Sequence, residues 1–270
     1  MHFKATPSGK SILSHLYRRT PIIVQQALYF DEQMPQLPCV YILSSGGPNV
    51  DGDRYRQEIK LGTGAMAHIT TGAATKIAPM VYNHSSMLQE ILLDEGAYLE
   101  YLPESTIPCR DARYRGECRI TIAPSATLFH SEIYTSGRRH HNGESYCYDL
   151  LSLTTRAERP NGEPLFSEKM VITPKTRSPR GSWLMADYNV FATILILTPP
   201  KNAERIYSAI RSYKSDDTAL GITRLPSKCG LMCRVLAKRS DRAKAIVREL
   251  CSVVRQEIKG KPLPEEFPWR

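Results

Sequence analysis

The sequence lacks any apolar run long enough to span a membrane; the longest, near Val190 to Leu197, has the length of a strand. The amino terminus, MHFKATPSGKSIL, lacks the continuous apolar segment of a secretory signal. None of the seven cysteines stands in a C-x-x-C pair, and the odd, scattered set (Cys39, Cys109, Cys118, Cys147, Cys229, Cys233, Cys251) does not suit a disulfide framework. The expectation is a soluble protein of the reducing cytoplasm with no membrane partner. Catalytic signatures are missing too. The glycine-rich segment SSGGPNVDGD (Ser44 to Asp53) is followed by no Gly-Lys-Ser/Thr, so it is no phosphate loop. Asn49, Asp51 and Asp53 alternate as in a calcium loop, but the glycine comes too early and Lys60 stands where the bidentate Glu belongs. No nucleophile is backed by an obvious base. A paired-carboxylate hydrolase would need an orienting group and saccharide-binding aromatics that the chain does not show.

What is present is repetition. The stretch Leu61 to Pro79, LGTGAMAHITTGAATKIAP, begins as an alternating strand and opens into the small residues Thr70 to Thr75. Such a run lets a backbone or ligand approach closely. Its strand belongs to the first of three matching units, EIKLGTGAMAHITT (Glu58 to Thr71), EILLDEGAYLEYLP (Glu90 to Pro103) and RITIAPSATLFHSE (Arg119 to Glu132). Each reads strand, tight turn, strand, with Gly64, Gly96 or Ser125 at the turn, recurring about every thirty residues. Either a plain series of hairpins in a sandwich or a stack of β-layers would use this chemistry; the position-by-position match favours the stack.

Pro21 to Phe30 and Leu37 to Leu43 suit strands, Tyr146 to Arg156 alternates, and Glu163 to Thr173 suits a strand pair around Glu168. From about Asn189 the pattern changes to strand, helix (Lys201 to Tyr213), strand (Leu231 to Ala237) and a long helix (Asp241 to Lys259), with Ser240 as its N-cap and Gly260 as its stop. The expected fold is mainly β: a β-helix-like stack over residues 1–188, with two α-helices in a small α+β cap, 189–270, packed on it as one unit.

Several constellations stand out. His68, His84, His130, His140 and His141 could ligate a metal, but none shares the short fixed spacing of a preformed zinc site, and adjacent His140 and His141 would face opposite ways on a strand. Cys229 and Cys233 suit the core better. Asp53, Glu132 and Glu168 are the acids of interest. Glu132 ends a strand that otherwise enters the core, and Glu168 sits among apolar residues. If both point inward they must line water or meet a cation, because a lone buried carboxylate is costly. If alternation turns them outward they are ordinary surface acids. The net charge of +9 and the basic run Lys238, Arg242, Lys244, Arg248, Arg255, Lys259, Lys261 permit a polyanion or an acidic protein partner. The run has no interleaved aromatics for base stacking, so nucleic acid is not expected.

Taken together, the pieces resemble one family, the urease accessory proteins UreD, also called UreH. The matching segments run nearly end to end: Gly46, Gly47, Gly52 and Asp53; TTGAATK, Thr70 to Lys76; GAYLEYLPESTIP, Gly96 to Pro108; SEIYTSGR, Ser131 to Arg138; EPLFSEK, Glu163 to Lys169; and Pro268-Trp269 at the tail. The resemblance implies a non-enzymatic partner of UreF, and through it of UreG, that docks on urease apoprotein and helps deliver nickel. It implies a β-helix-like fold with two helices and a water-filled tunnel for nickel in transit, with no tightly bound cofactor and no stable metal site. It also implies that Asp53, Thr75, Glu132 and Glu168 bear on that path. Asp51-Gly52-Asp53 stands where the family more often has Gly-Gly-Asp, Thr75 where it has Ser, and Glu132 where it has Asp. Oxygen donors suit a cation that must be held briefly and released. The alternative is a basic β-solenoid module that binds a polyanion or acidic protein without a metal role.

Overall fold

The computed structural model describes residues 1–181 and 184–264. The tail residues Pro268 and Trp269 lie outside them. Strands β1 (His2–Ala5), β2 (Ser11–His15), β3 (Ile22–Val24) and β4 (Cys39–Ser44) precede the repeats. The repeats supply β5 (Arg54–Leu61) and β6 (Met66–Thr71) with short β7 (Thr75–Ile77); β8 (Ser85–Leu93) and β9 (Tyr98–Leu102) with short β10 (Thr106–Pro108); and β11 (Arg113–Ile122) and β12 (Thr127–Thr135). There follow β13 (Leu150–Glu158), β14 (Pro164–Ile172), β15 (Val190–Leu197), α1 (Pro200–Ala209), β16 (Tyr213–Lys214), β17 (Thr218–Arg224), β18 (Gly230–Ala237) and α2 (Ser240–Lys259).

The two strands of each repeat do not pair with each other. β5, β8 and β11 lie in a seven-stranded sheet of order β14-β13-β11-β8-β5-β1-β2. β6, β9 and β12 lie in an eleven-stranded sheet whose main path is β16-β17-β18-β15-β12-β9-β6-β4-β3. Within each sheet successive repeats run parallel: Ile59 faces Ile91, which faces Ile120, and Met66 faces Tyr98, which faces Thr127. This is solenoid-like stacking, and it decides against hairpins. Gly64 and Gly96 share the same left-handed turn (φ 67° at each), which a side chain would disfavour. Ser125 manages without it, its hydroxyl accepting from the Gly96 N–H at 2.8 Å and so tying the third turn to the second.

Period-two alternation then builds two cores. Inward residues of both sheets, among them Ile59, Leu61, Ile91, Leu93, Ile120, Ile122, Leu99 and Leu128, fill the space between the sheets. The opposite face of the eleven-stranded sheet, with Phe129, Ile133, Ile194, Ile196, Cys233 and Val235, is covered by both helices. α2 presents Ala243, Ile246, Val247, Leu250 and Val254 to it. The strands after residue 189 do not form a sheet of their own: β15 pairs antiparallel with β12, and β18 with β15.

Some local expectations change. Only Ile22–Val24 of the 21–30 segment is a strand; beyond its three paired residues the segment rejoins β4 at the isolated Leu28–Cys39 bridge, which is too short to extend it. Glu163 to Thr173 is one strand, β14, lying antiparallel on β13, rather than a pair. α1 ends at Ala209, before Tyr213. Ser240 is the first residue of α2, not its cap; Arg239 holds that position without a capping side chain, and its guanidinium forks onto Asp241 at 2.9 Å for each bond. Gly260 does stop the helix, in the left-handed region with φ 67°.

One glycine is demanded by close approach. Gly230 opens β18 at φ 149°, and a Cβ there would drive into the Ile196 backbone carbonyl of β15. Backbone cannot step aside as a side-chain tip can. Gly230→Ala is expected to destabilise the protein by about 1–3 kcal/mol or more, read as a lower urea midpoint with unchanged slope.

Candidate functional site

Along each strand of the stack the inward residues change character. One end is apolar, with Ile59, Ile91 and Ile120 in one rung and Leu61, Leu93 and Ile122 in the next. Towards the other end the rungs become Gln57–Gln89–Cys118 and then Tyr55–Met87–Gly116. Polar groups and a glycine cannot close a gap as branched aliphatics do, so the sheets part there around a cavity of about 500 Å³. Its mouth is the small-residue run Thr71 to Lys76 together with Glu104, and its inner wall includes Gln57, Gln89, Tyr101, Tyr114 and Glu132. At the mouth the missing side chain of Gly72 lets Leu43 pack close, since a Cβ there would strike the Leu43 side chain. The polar wall is internally bonded. Gln57 accepts from Gln89 and, at 3.3 Å, from the Tyr101 hydroxyl, and His130 donates from Nε2 to Gln89 Oε1 at 2.7 Å while stacking on Tyr101.

Of the four residues singled out in the sequence, Thr75 and Glu132 line this one cavity. Glu132 therefore points inward, to the face it shares with Leu128 and His130, yet stays partly accessible through the cavity. Burial pushes its carboxyl pKa up; the Tyr134 hydroxyl, 3.1 Å from Oε1, and the Arg234 cation pull it down, and Glu168 adds to the rise. Glu168 does not line the cavity. It faces the same interior but is ion-paired with Arg234, whose guanidinium also reaches Thr193, the cross-strand neighbour of Glu132. The cavity thus ends at Glu132, with the Arg234–Glu168 pair beyond it. Asp53 also lies off the cavity: it accepts from the Val50 N–H and the Tyr55 hydroxyl, each at 2.8 Å, and touches the wall only through Tyr55.

The histidines do not converge. His68 and His130 are buried on opposite faces of the eleven-stranded sheet, His84 sits before β8, and His140 and His141 are in an exposed turn. Among the described residues no three His, Cys, Asp or Glu side chains cluster closely enough to hold a metal ion. Cys229 and Cys233 are buried and free.

The basic run is also broken up. Arg255 is not on the solvated face: it is fully buried beneath α2, with Nε and an Nη on the two Glu100 oxygens at 2.7 and 2.6 Å and the other Nη on Asp31. Tyr98 donates its hydroxyl to Glu100 at 2.6 Å and His68 its Nδ1 proton at 2.7 Å. Burial alone would raise the Glu100 carboxyl, but Arg255 and His68 outweigh it and hold the pKa at about 2. Lys244 pairs with Glu104 at the cavity mouth. The sequence reading missed Glu100. Its signal was there, because a carboxylate in the middle of YLEYL needs a buried cation as much as Glu132 does.

The profile of the UreD urease accessory protein family matches residues 1–270. The chain is 41% identical over 266 residues to urease accessory protein UreD 3 of Methylorubrum populi, covering 97% of this chain and 86% of that protein. It is 39% identical over 264 residues to urease accessory protein UreD of Yersinia pseudotuberculosis, covering 97% and 82%. It is 39% identical over 263 residues to urease accessory protein UreD 2 of Brucella suis, covering 96% and 87%.

Proposed function

Since the chain belongs to the UreD family of urease accessory proteins, we propose that it is a non-catalytic scaffold of urease maturation, binding UreF, UreG through UreF, and the urease apoprotein. Nickel, the cargo, crosses it through the cavity between Thr75 and Glu132. The observation that carries this reading is a solvent-accessible cavity of about 500 Å³ with Glu132 held in its inner wall. A carboxylate left there at a cost in stability serves a purpose other than folding. The oxygens lining it, the carboxylate of Glu132, that of Glu104 in its ion pair with Lys244, and the hydroxyl of Thr75, are hard donors that suit a divalent cation in passage. Asp53 acts at one remove, by fixing the Tyr55 ring in the wall. Glu168 serves the exit, where a cation leaving Glu132 must compete with Arg234.

Two measurements test this. The chain should co-purify with UreF and with urease apoprotein; if it ignores both, the scaffold role falls. The Glu132→Gln, Glu168→Gln double variant should keep those partners while nickel loading of urease drops, and full loading would remove the conduit. Glu132→Gln alone should also raise the urea midpoint at pH 7. A carboxyl whose folded pKa lies above its unfolded value costs stability as pH rises through that interval, and the amide relieves the cost.

A further inference from the structure

We propose that the outer face of the seven-stranded sheet carries a pocket for a small oxyanion that retains a proton, of the hydrogen phosphate class. The proposal does not rest on the nickel reading: Ser86, Arg115, Ser152 and Lys169 do not line the cavity, although Met87, Gly116, Glu117 and Thr154 border both hollows. Met87, Gly116 and Leu153 face inward in register, so their neighbours Ser86, Arg115 and Ser152 face outward in register with one another. The next outward row is Leu88, Glu117, Thr154 and Lys169. Together with His84 these rows line a concavity of about 300 Å³.

Its donors are unspent. Ser152 is only 8% exposed although it stands on an outer sheet face, and its hydroxyl has no protein partner among the described residues. The hydroxyls of Ser86 and Thr154 are equally unengaged, and neither Arg115 nor Lys169 has an acidic partner among the described residues. Two free cations and three free hydroxyl donors around one hollow favour an anion. The one acid present narrows the class. Glu117 lines the hollow and spends Oε1 on Arg119 at 2.7 Å, which leaves Oε2 as an acceptor only. That oxygen repels an anion without a proton, such as sulfate, and takes a hydrogen bond from one that keeps its hydroxyl. His84 reports on the pocket: burial and then the Arg54 and Arg115 cations hold its pKa below the usual value, against a smaller opposing effect of Asp51. A bound anion would pull it back up.

The test titrates the full chain with hydrogen phosphate and with sulfate at fixed ionic strength and pH 7, by calorimetry and by the NMR pH titration of the His84 ring. Saturable phosphate binding that raises the His84 pKa is expected, with sulfate at least about tenfold weaker. Arg115→Ala and Ser152→Ala should each weaken phosphate, by about tenfold for the arginine, with the urea midpoint little changed. Glu117→Gln should bring sulfate close to phosphate. Equal affinity for the two anions, no saturable binding of either, or binding untouched by Arg115→Ala would overturn the proposal. Urease activation is not read in this experiment, so its failure leaves the proposed function standing.

Discussion

Arg255→Ala is expected to cost about 3–5 kcal/mol, a large fraction of a typical stability of about 5–15 kcal/mol, and to drop the urea midpoint more than any surface substitution. The reason is what it leaves behind. Glu100 and Asp31 are both fully buried and share this one guanidinium. Without it, two carboxylates remain in the core, with only Tyr98 and His68 to oppose the charge on Glu100. The bond also crosses the fold, joining α2 to β9 and to the loop after β3. Arg255→Lys should rescue only part of the loss, since an ammonium cannot span both Glu100 oxygens and still reach Asp31. The carboxylate of this network is robust to mild acid. The folded pKa of Glu100, about 2, lies below its unfolded value, so its contribution is complete above pH 4.5 and fades only as pH falls towards 2.

His130 sets an earlier acid limit. Burial depresses its pKa to about 4 from an ordinary 6.5. A base whose folded pKa is depressed binds fewer protons in the native state, so its contribution is complete above pH 6.5 and is lost as pH falls to about 4. The interval corresponds to about 3 kcal/mol of stability, to be measured as the change in urea-derived stability between pH 7 and pH 4. His68, also depressed by burial, adds in the same direction. His130→Gln should keep a hydrogen bond to Gln89 and flatten most of that pH dependence; an unchanged slope would refute the assignment.

The solenoid was legible because its signal is local and repeated. Glu58 to Thr71, Glu90 to Pro103 and Arg119 to Glu132 align residue by residue, and the tight turns at Gly64 and Gly96 need glycine whatever surrounds them. Both helices were legible from their apolar stripes. The cavity was only half legible. Alternation says that Glu132 shares a face with His130 and Leu128, but which face meets the other sheet depends on pairing between distant strands. The polar rung Gln57–Gln89–Cys118 stands in the repeats, but it becomes a rung only through the parallel register of three strands about thirty residues apart, which no single strand displays. Arg255 was misplaced for another reason. On a helical wheel it falls beside Cys251 at the margin of the stripe, and only a buried acid across the interface decides that it turns inward.

The lengths of the outermost strands carry one more consequence. A sheet of eleven strands built by stacking like on like would ordinarily present a long row of unpaired amides to the next molecule. Here it tapers to the three residues Ile22–Val24 on one side and the two residues Tyr213–Lys214 on the other. A second copy arriving at either edge of this sheet finds only a short strand to zip against, whereas the seven-stranded sheet, which ends on the nine residues of β14, has no such taper on that side.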